Sequence, residues 1–280
     1  MPTAPLSRRS FLALSAMLPY AFSARAADSK LPVGLELYSV RDELKKDPEA
    51  TVSAVAKMGY QCVEFYAPYF ERTDAQNKDM RKLLDDLGIH CYSTHNDFEY
   101  LAPDKINRTR DLNLTLGSKY VVVASAQPKP GPDGWAPVTD ALNTAAERLE
   151  PAGLKVGYHN HEPEFRRVDG KRPLEFIAQH TKPSIVLQLD VGTCLAAGSN
   201  PAEWIRANPG RIRSMHCKDW SPDKGYKVLF GEGSADWKSI FAAAESVGGI
   251  EYYLLEQEGS RFPELETAQK CLETFRSTHS

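Results

Sequence analysis

Apolar and polar positions alternate along this chain in two rhythms. From Val33 onward, short apolar runs ("VGLEL", "QCVEFY", "IHCYSTH", "YVVVAS", "LKVGYHNH", "SIVLQLD", "IRSMHCK" and "EYYLLEQE") are separated by stretches with the spacing of an amphipathic helix. The runs predict buried strands; the stretches between them, such as "DPEATVSAVAKMG", "KDMRKLLDDLG" and "ADWKSIFAAAESVGG", predict helices, several closed by a glycine as a C-cap would be. The polar residues ending the runs are Glu36, Glu64, His95, Ser125, His159, Asp190, His216 and Glu256, at intervals of 26 to 40 residues. A parallel βαβ step needs roughly 30 residues. Eight such units closing on themselves predict an α/β protein, a single-domain (β/α)8 TIM barrel. An open doubly wound sheet is the alternative, but "GLELYSVR" lacks the glycine-rich phosphate loop that usually follows its first strand.

The first 26 residues stand outside that pattern. Arg8 and Arg9 precede an apolar stretch over residues 11–22, and Ala24-Arg25-Ala26 offers a small-x-small cleavage site. The stretch is too short to span a bilayer and reads as an export signal of the twin-arginine type, removed to leave a periplasmic barrel of residues 27–280. Loss of Arg8, Arg9 and Arg25 leaves 31 basic against 37 acidic residues, a net charge near −6. An acidic surface argues against a nucleic-acid backbone as ligand. Five cysteines without CxxC spacing read as buried small hydrophobes rather than a disulfide framework. No other segment has the length and apolarity for stable membrane insertion.

The chemistry gathers at the strand ends, where barrel active sites lie. Asp190 in "VLQLDVGTC", His216 in "SMHCKDW" and Glu256 in "YLLEQE" end the sixth, seventh and eighth runs. Singly, each could be a solvated loop residue. Together they converge on one side of the mouth, and a divalent cation is the most economical shared partner for two carboxylates and an imidazole. In "GYHNHEPEF" strand alternation puts His159 and His161 on one face, with His159 at ligand depth and Glu162 further out. A polar loop ordered by local hydrogen bonds is the alternative there. Lys218 shares the His216 face and could bind a substrate oxygen, or it could be a surface lysine paired with Asp219. Glu64 and His95 are expected across the mouth as binders of substrate hydroxyls. Glu36 is a weaker candidate that could instead pair with Arg41. Tyr38, Tyr66, Phe98 and Trp220 could form an apolar platform or simply pack the wall. In "GEGSADW", Ser234 or Asp236 is expected to cap a helix.

The fragments "YHNHEPEF", "LDVG", "MHCKD" and "LLEQE", in this order and spacing, resemble the xylose isomerase-like TIM-barrel family of sugar isomerases and epimerases, including its inosose dehydratase-like branch. The resemblance runs from "VGLELYSVRD" to the final strand. It implies one divalent ion (Mn, Mg, Co, Fe or Zn) held by His159, Asp190, His216 and Glu256. One departure matters: the family's epimerases normally place a glutamate on strand 5, paired with the strand-8 glutamate across the substrate, where this chain has His159.

The leading expectation is therefore a metal-dependent isomerase or epimerase acting on a small-molecule sugar or keto-sugar through a metal-stabilised enediolate. Glu256, His159 and Lys218 are its catalytic candidates, with His95 an alternative partner acid; Glu64, His95, His161 and Glu164 are its substrate-binding candidates. A lyase or dehydratase (hydratase) acting on a 3-keto-glycoside or inosose-like substrate would use the same first half-reaction. A non-catalytic sugar-binding barrel is the reading outside enzymology, and a related endonuclease-type hydrolysis would need a basic groove. Association into a homo-oligomer is left open.

Overall fold

The computed structural model describes residues 31–129, 134–168 and 170–279. The export signal expected over residues 1–26 lies outside the described residues. Eight parallel strands close into a barrel in chain order: β1 Val33–Glu36, β2 Cys62–Phe65, β3 His90–Asp97, β4 Tyr120–Ser125, β5 Lys155–His159, β6 Val186–Asp190, β7 Ser214–Cys217 and β8 Tyr252–Leu255. β8 pairs with β1, completing the closure.

The alternation within each strand divides the apolar residues between two cores. Val63, Val121, Val123, Leu187 and Tyr253 face outward and pack beneath the helices in the main core. Cys62, Tyr120, Val122, Val186, Tyr252 and Leu254, from the same strands, form a separate small cluster inside the barrel. Gly34 sits on that inner side because a Cβ there would collide with the sulfur of Cys62.

Local signals explain the helix ends. Asp47 caps Pro48–Met58 by accepting from Ala50 N at 2.9 Å, and Gly59 stops that helix at φ 99°. Thr73 and Gln76 form a capping box at the start of Asp74–Leu87. Of the two caps expected in "GEGSADW", Asp236 fills the role, accepting from Ser239 N at 3.2 Å. All five cysteines are buried and unpaired, as a small-hydrophobe role requires. Among the described residues no helix is long and apolar enough to cross a membrane.

Register brings the polar run ends to one rim. Glu36 lies beside Glu64, and Asp190 beside His216. Two boundaries differ from the sequence pattern: β5 stops at His159, so His161 opens the following turn, and Glu256 stands one residue beyond β8.

Candidate active site

The C-terminal rim of the barrel holds a buried polar layer. His159, Asp190, His216 and Glu256 come together so that one ligand atom from each lies within 4.8 Å of the others. All four are at most 8% exposed. His216 is held from both sides, its Nδ1 2.8 Å from Glu256 Oε2 and its Nε2 2.9 Å from Glu64 Oε1. Burial opposes the charged ring, but Glu256 and Glu64 overcome it and raise the His216 pKa well above the usual imidazole range. His159 goes the other way: burial first, then the neighbouring His216 and His95 rings, hold it well below that range.

Lys218 is wholly enclosed and does not pair with Asp219. Its Nζ lies 2.6 Å from Glu258 Oε1, 2.7 Å from Asp190 Oδ2 and 3.3 Å from Glu256 Oε2. Burial works against its charge, yet these carboxylates raise its pKa, so it is a cation. Asp219 instead gathers the following loop, accepting from Trp220 N at 2.9 Å, Gly231 N at 3.0 Å and Trp237 Nε1 at 3.0 Å.

The donor set suits a divalent ion. Asp190 Oδ1 accepts from Thr193 N at 2.9 Å, and the buried Oδ2 lies 2.7 Å from Lys218 Nζ and 3.7 Å from His159 Nε2. Burial raises the Asp190 carboxyl despite the lysine. Glu64, Asp190 and Glu256 are buried carboxylates with Lys218 and the His216 ring as the neighbouring cations, while burial and then Glu256 push the Glu36 carboxyl well above its usual range. Such an excess of enclosed carboxylate calls for further positive charge. Two imidazoles and two carboxylates fit Mn, Fe, Co or Zn better than Mg, which prefers oxygen.

Other candidates settle differently. Glu64 is fully buried and its oxygens meet His216, His95, Gln188 and Ser93, leaving no acceptor position for a substrate hydroxyl. It belongs to the support beneath the site rather than across the mouth. His95 retains 7% exposure; burial lowers its pKa, partly countered by Glu64. Glu164 accepts from Tyr158 Oη at 2.8 Å and His161 N at 3.0 Å, so it braces the turn after β5 rather than reaching for substrate. His161 is half-buried, its ring centroid 5.0 Å from that of His159. Glu162 pairs with Arg166 at 2.6 Å and accepts from Tyr226 Oη at 2.6 Å. Arg41 turns to Tyr38 O and Glu264 and leaves Glu36 alone; Glu36 Oε1 is buried without a partner. Tyr38 and Tyr66 meet edge to face at 5.4 Å, with Tyr38 39% exposed. Phe98 packs against the main core, and Trp220 is half-buried.

Two residues carry no clear mark in the sequence. Gln188, two positions before Asp190, faces the same interior. The alternation that selects Asp190 points to it as well, but an amide carries no ionisable signal. Tyr226, from the loop after β7, brings its ring 5.2 Å from Lys218 Nζ, and no periodicity marks it.

Known proteins share this arrangement of elements. The family model described as xylose isomerase-like TIM barrel matches residues 52–278. An inosose dehydratase of Clostridium botulinum is 24% identical over 229 residues, 69% of this chain and 76% of that protein. A sugar phosphate isomerase/epimerase from Parabacteroides distasonis superimposes with a TM-score of 0.78 at 25% identity, covering 90% of this chain and 98% of its own. The IOLI protein with a bound zinc atom superimposes with a TM-score of 0.70 at 18% identity, over 89% of this chain and 99% of that one, a likeness of fold.

Proposed function

This chain belongs to the xylose isomerase-like TIM barrel family, and from that premise we propose that it is a metal-dependent lyase eliminating water or an alcohol from a keto-sugar, an inosose or a 3-keto-glycoside. The observation that carries the choice is the asymmetry of the rim. Strand β5 offers imidazole, while Glu162 and Glu164 are engaged elsewhere. A symmetric epimerisation wants two matched groups on opposite faces of one carbon. Here ionised Glu256, held low by Lys218 and His216 against its burial, shares the rim with His95 and His159, imidazoles that burial holds neutral.

His159, Asp190, His216 and Glu256 would hold the ion. When bound, such an ion polarises the substrate carbonyl and acidifies the adjacent C–H. His95 is neutral and reaches the mouth, so it is the base that takes the proton from carbon. The imidazolium so formed returns that proton to the departing oxygen on the same face, and the C–O electron pair leaves with the product water or alcohol. Lys218, enclosed against Asp190, Glu256 and Glu258, would act on the developing negative charge of the carbonyl oxygen through its field rather than by direct contact. The low exposure of the layer keeps bulk water from quenching the carbanion.

The test is incubation of the metal-loaded protein with an inosose and a 3-keto-glucoside in D2O, followed by NMR and mass spectrometry. Elimination lowers the substrate mass by one water, or by the aglycone alcohol. The isomerase or epimerase reading, supported by likeness to the Parabacteroides protein, predicts unchanged connectivity with deuterium at one carbon. Neither product from either probe counts against both. For location, we propose that residues 1–26 direct export to the periplasm. In a bacterial host, paired Arg8→Lys and Arg9→Lys changes should hold the uncleaved chain inside the cell; undiminished export would contradict the twin-arginine assignment.

A further inference from the structure

We infer that Glu64 and Gln188 are positioning residues that set which ring nitrogen carries the proton in His95, His159 and His216. The consequence for metal binding rests on the reading of the rim as a metal centre; the proton placement itself does not. Both residues are at most 1% exposed and lie beneath the rim. Glu64 meets His216 Nε2 at 2.9 Å, His95 Nε2 at 3.0 Å and Gln188 Nε2 at 2.9 Å, together with Ser93 Oγ. A carboxylate only accepts, so His216 Nε2, Gln188 Nε2 and Ser93 Oγ each point a hydrogen at it, while the His95 hydrogen goes to Gln188.

That requirement orients the Gln188 amide. With Nε2 turned to Glu64, and to Ser214 Oγ at 3.0 Å, its Oε1 faces the other way. There it lies 2.6 Å from His95 Nε2 and 3.0 Å from His159 Nδ1. A carbonyl oxygen also only accepts, so both nitrogens carry hydrogen. His95 is thereby protonated on Nε2 and His159 on Nδ1; His216, with a carboxylate at each nitrogen, carries both hydrogens, and Glu64 keeps the one on Nε2 when an ion displaces the one on Nδ1. The opposite nitrogens of the two quartet rings face its carboxylates: His216 Nδ1 is 2.8 Å from Glu256 Oε2, and His159 Nε2 is 3.7 Å from Asp190 Oδ2. Those are the nitrogens an ion would need as lone pairs. The opposite tautomers would aim N–H groups at it. His95 Nδ1 is left for the substrate.

The test is a ring 1H–15N correlation spectrum of the full metal-free protein, followed by titration with Zn2+ alone. The expected wild-type spectrum has the proton of His159 on Nδ1 and that of His95 on Nε2, and Zn2+ leaves His216 protonated on Nε2 only. Gln188→Met, close in size and without the amide, should scramble the His95 and His159 tautomers. It should also weaken Zn2+ binding about 10- to 100-fold, the usual cost of losing such support. Asp236→Ala, at an exposed helix cap away from the rim, should change that affinity by less than about threefold. A wild-type His159 protonated on Nε2 overturns the inference, even if Gln188→Met does not fold. So does Gln188→Met with wild-type ring signals and affinity. Ring signals as assigned, with no Zn2+ bound by the wild type, would uphold the proton placement and sink the metal reading alone.

Discussion

Two inner layers of the barrel, one pleat apart, are built from the same strands and behave oppositely. The lower, Cys62, Val122, Val186 and Leu254 among its members, is an apolar plug. The upper, two residues further along each strand, is Glu64, Gln188 and Glu256 with the histidines. Backbone pairing treats the layers alike. What separates them is desolvation: the plug gains by leaving water, about 25 cal/mol per Å2 of apolar area, while the upper layer must find a partner for every charge it encloses. Stability therefore resides below and chemistry above, and substitutions should divide the same way.

The sharpest division comes from Asp190→Asn, which should reduce turnover by roughly a thousandfold or more, because several kcal/mol of carbonyl activation go with the ligand. Its thermal midpoint should fall far less than its activity; equal losses in both would erase the distinction. Leu254→Ala, in the plug, should cost ~2–5 kcal/mol in denaturant unfolding while lowering turnover of the folded fraction far less than Asp190→Asn does.

Acid reaches the upper layer alone. The Glu64 carboxyl is pulled down to about 2, with burial overcome by His95, His216 and Ser93. Its folded value is below its unfolded one, so its contribution is present above the unfolded value near 4.5 and is lost as pH falls towards about 2. That is ~3 kcal/mol at neutral pH. Glu64→Gln should flatten the acid limb of a stability–pH curve, and an unchanged limb would place the charge coupling elsewhere. For metal, His216 must give up the proton its carboxylate neighbours hold. Zn2+ affinity should accordingly rise ~10-fold per pH unit until the raised His216 value is passed; calorimetry at several pH values checks the sign. The smallest effect is expected away from both layers, where Asp236→Ala removes one helix cap for ~1 kcal/mol and leaves metal affinity unaltered.

The same contrast explains how much of the molecule is legible in its sequence. Strand count and closure follow from apolar runs at regular spacing, a pattern that repeats along the whole barrel. Which polar residues end those runs is readable too, because a charge after a buried strand is conspicuous. What each charge touches is not. Glu64 reads as a hydroxyl binder because its partners His216 and Gln188 are 152 and 124 positions away. Lys218 reads equally as a partner of Asp219, and only closure of β6 and β8 beside β7 brings Asp190 and Glu256 to it. Glu164 braces its own turn through a hydrogen bond from Tyr158, a contact set by how the chain leaves β5. Tyr226 arrives on an irregular loop, where no period exists to read.

The most direct test of the metal centre is elemental mass spectrometry of purified protein after reconstitution with Mn2+, Co2+ or Zn2+, run beside His216→Ala and Leu254→Ala. About one ion per chain is expected in the wild type and in Leu254→Ala, and none in His216→Ala. A folded wild type that takes up no divalent ion, or a His216→Ala variant that keeps its full complement, would contradict the metal assignment.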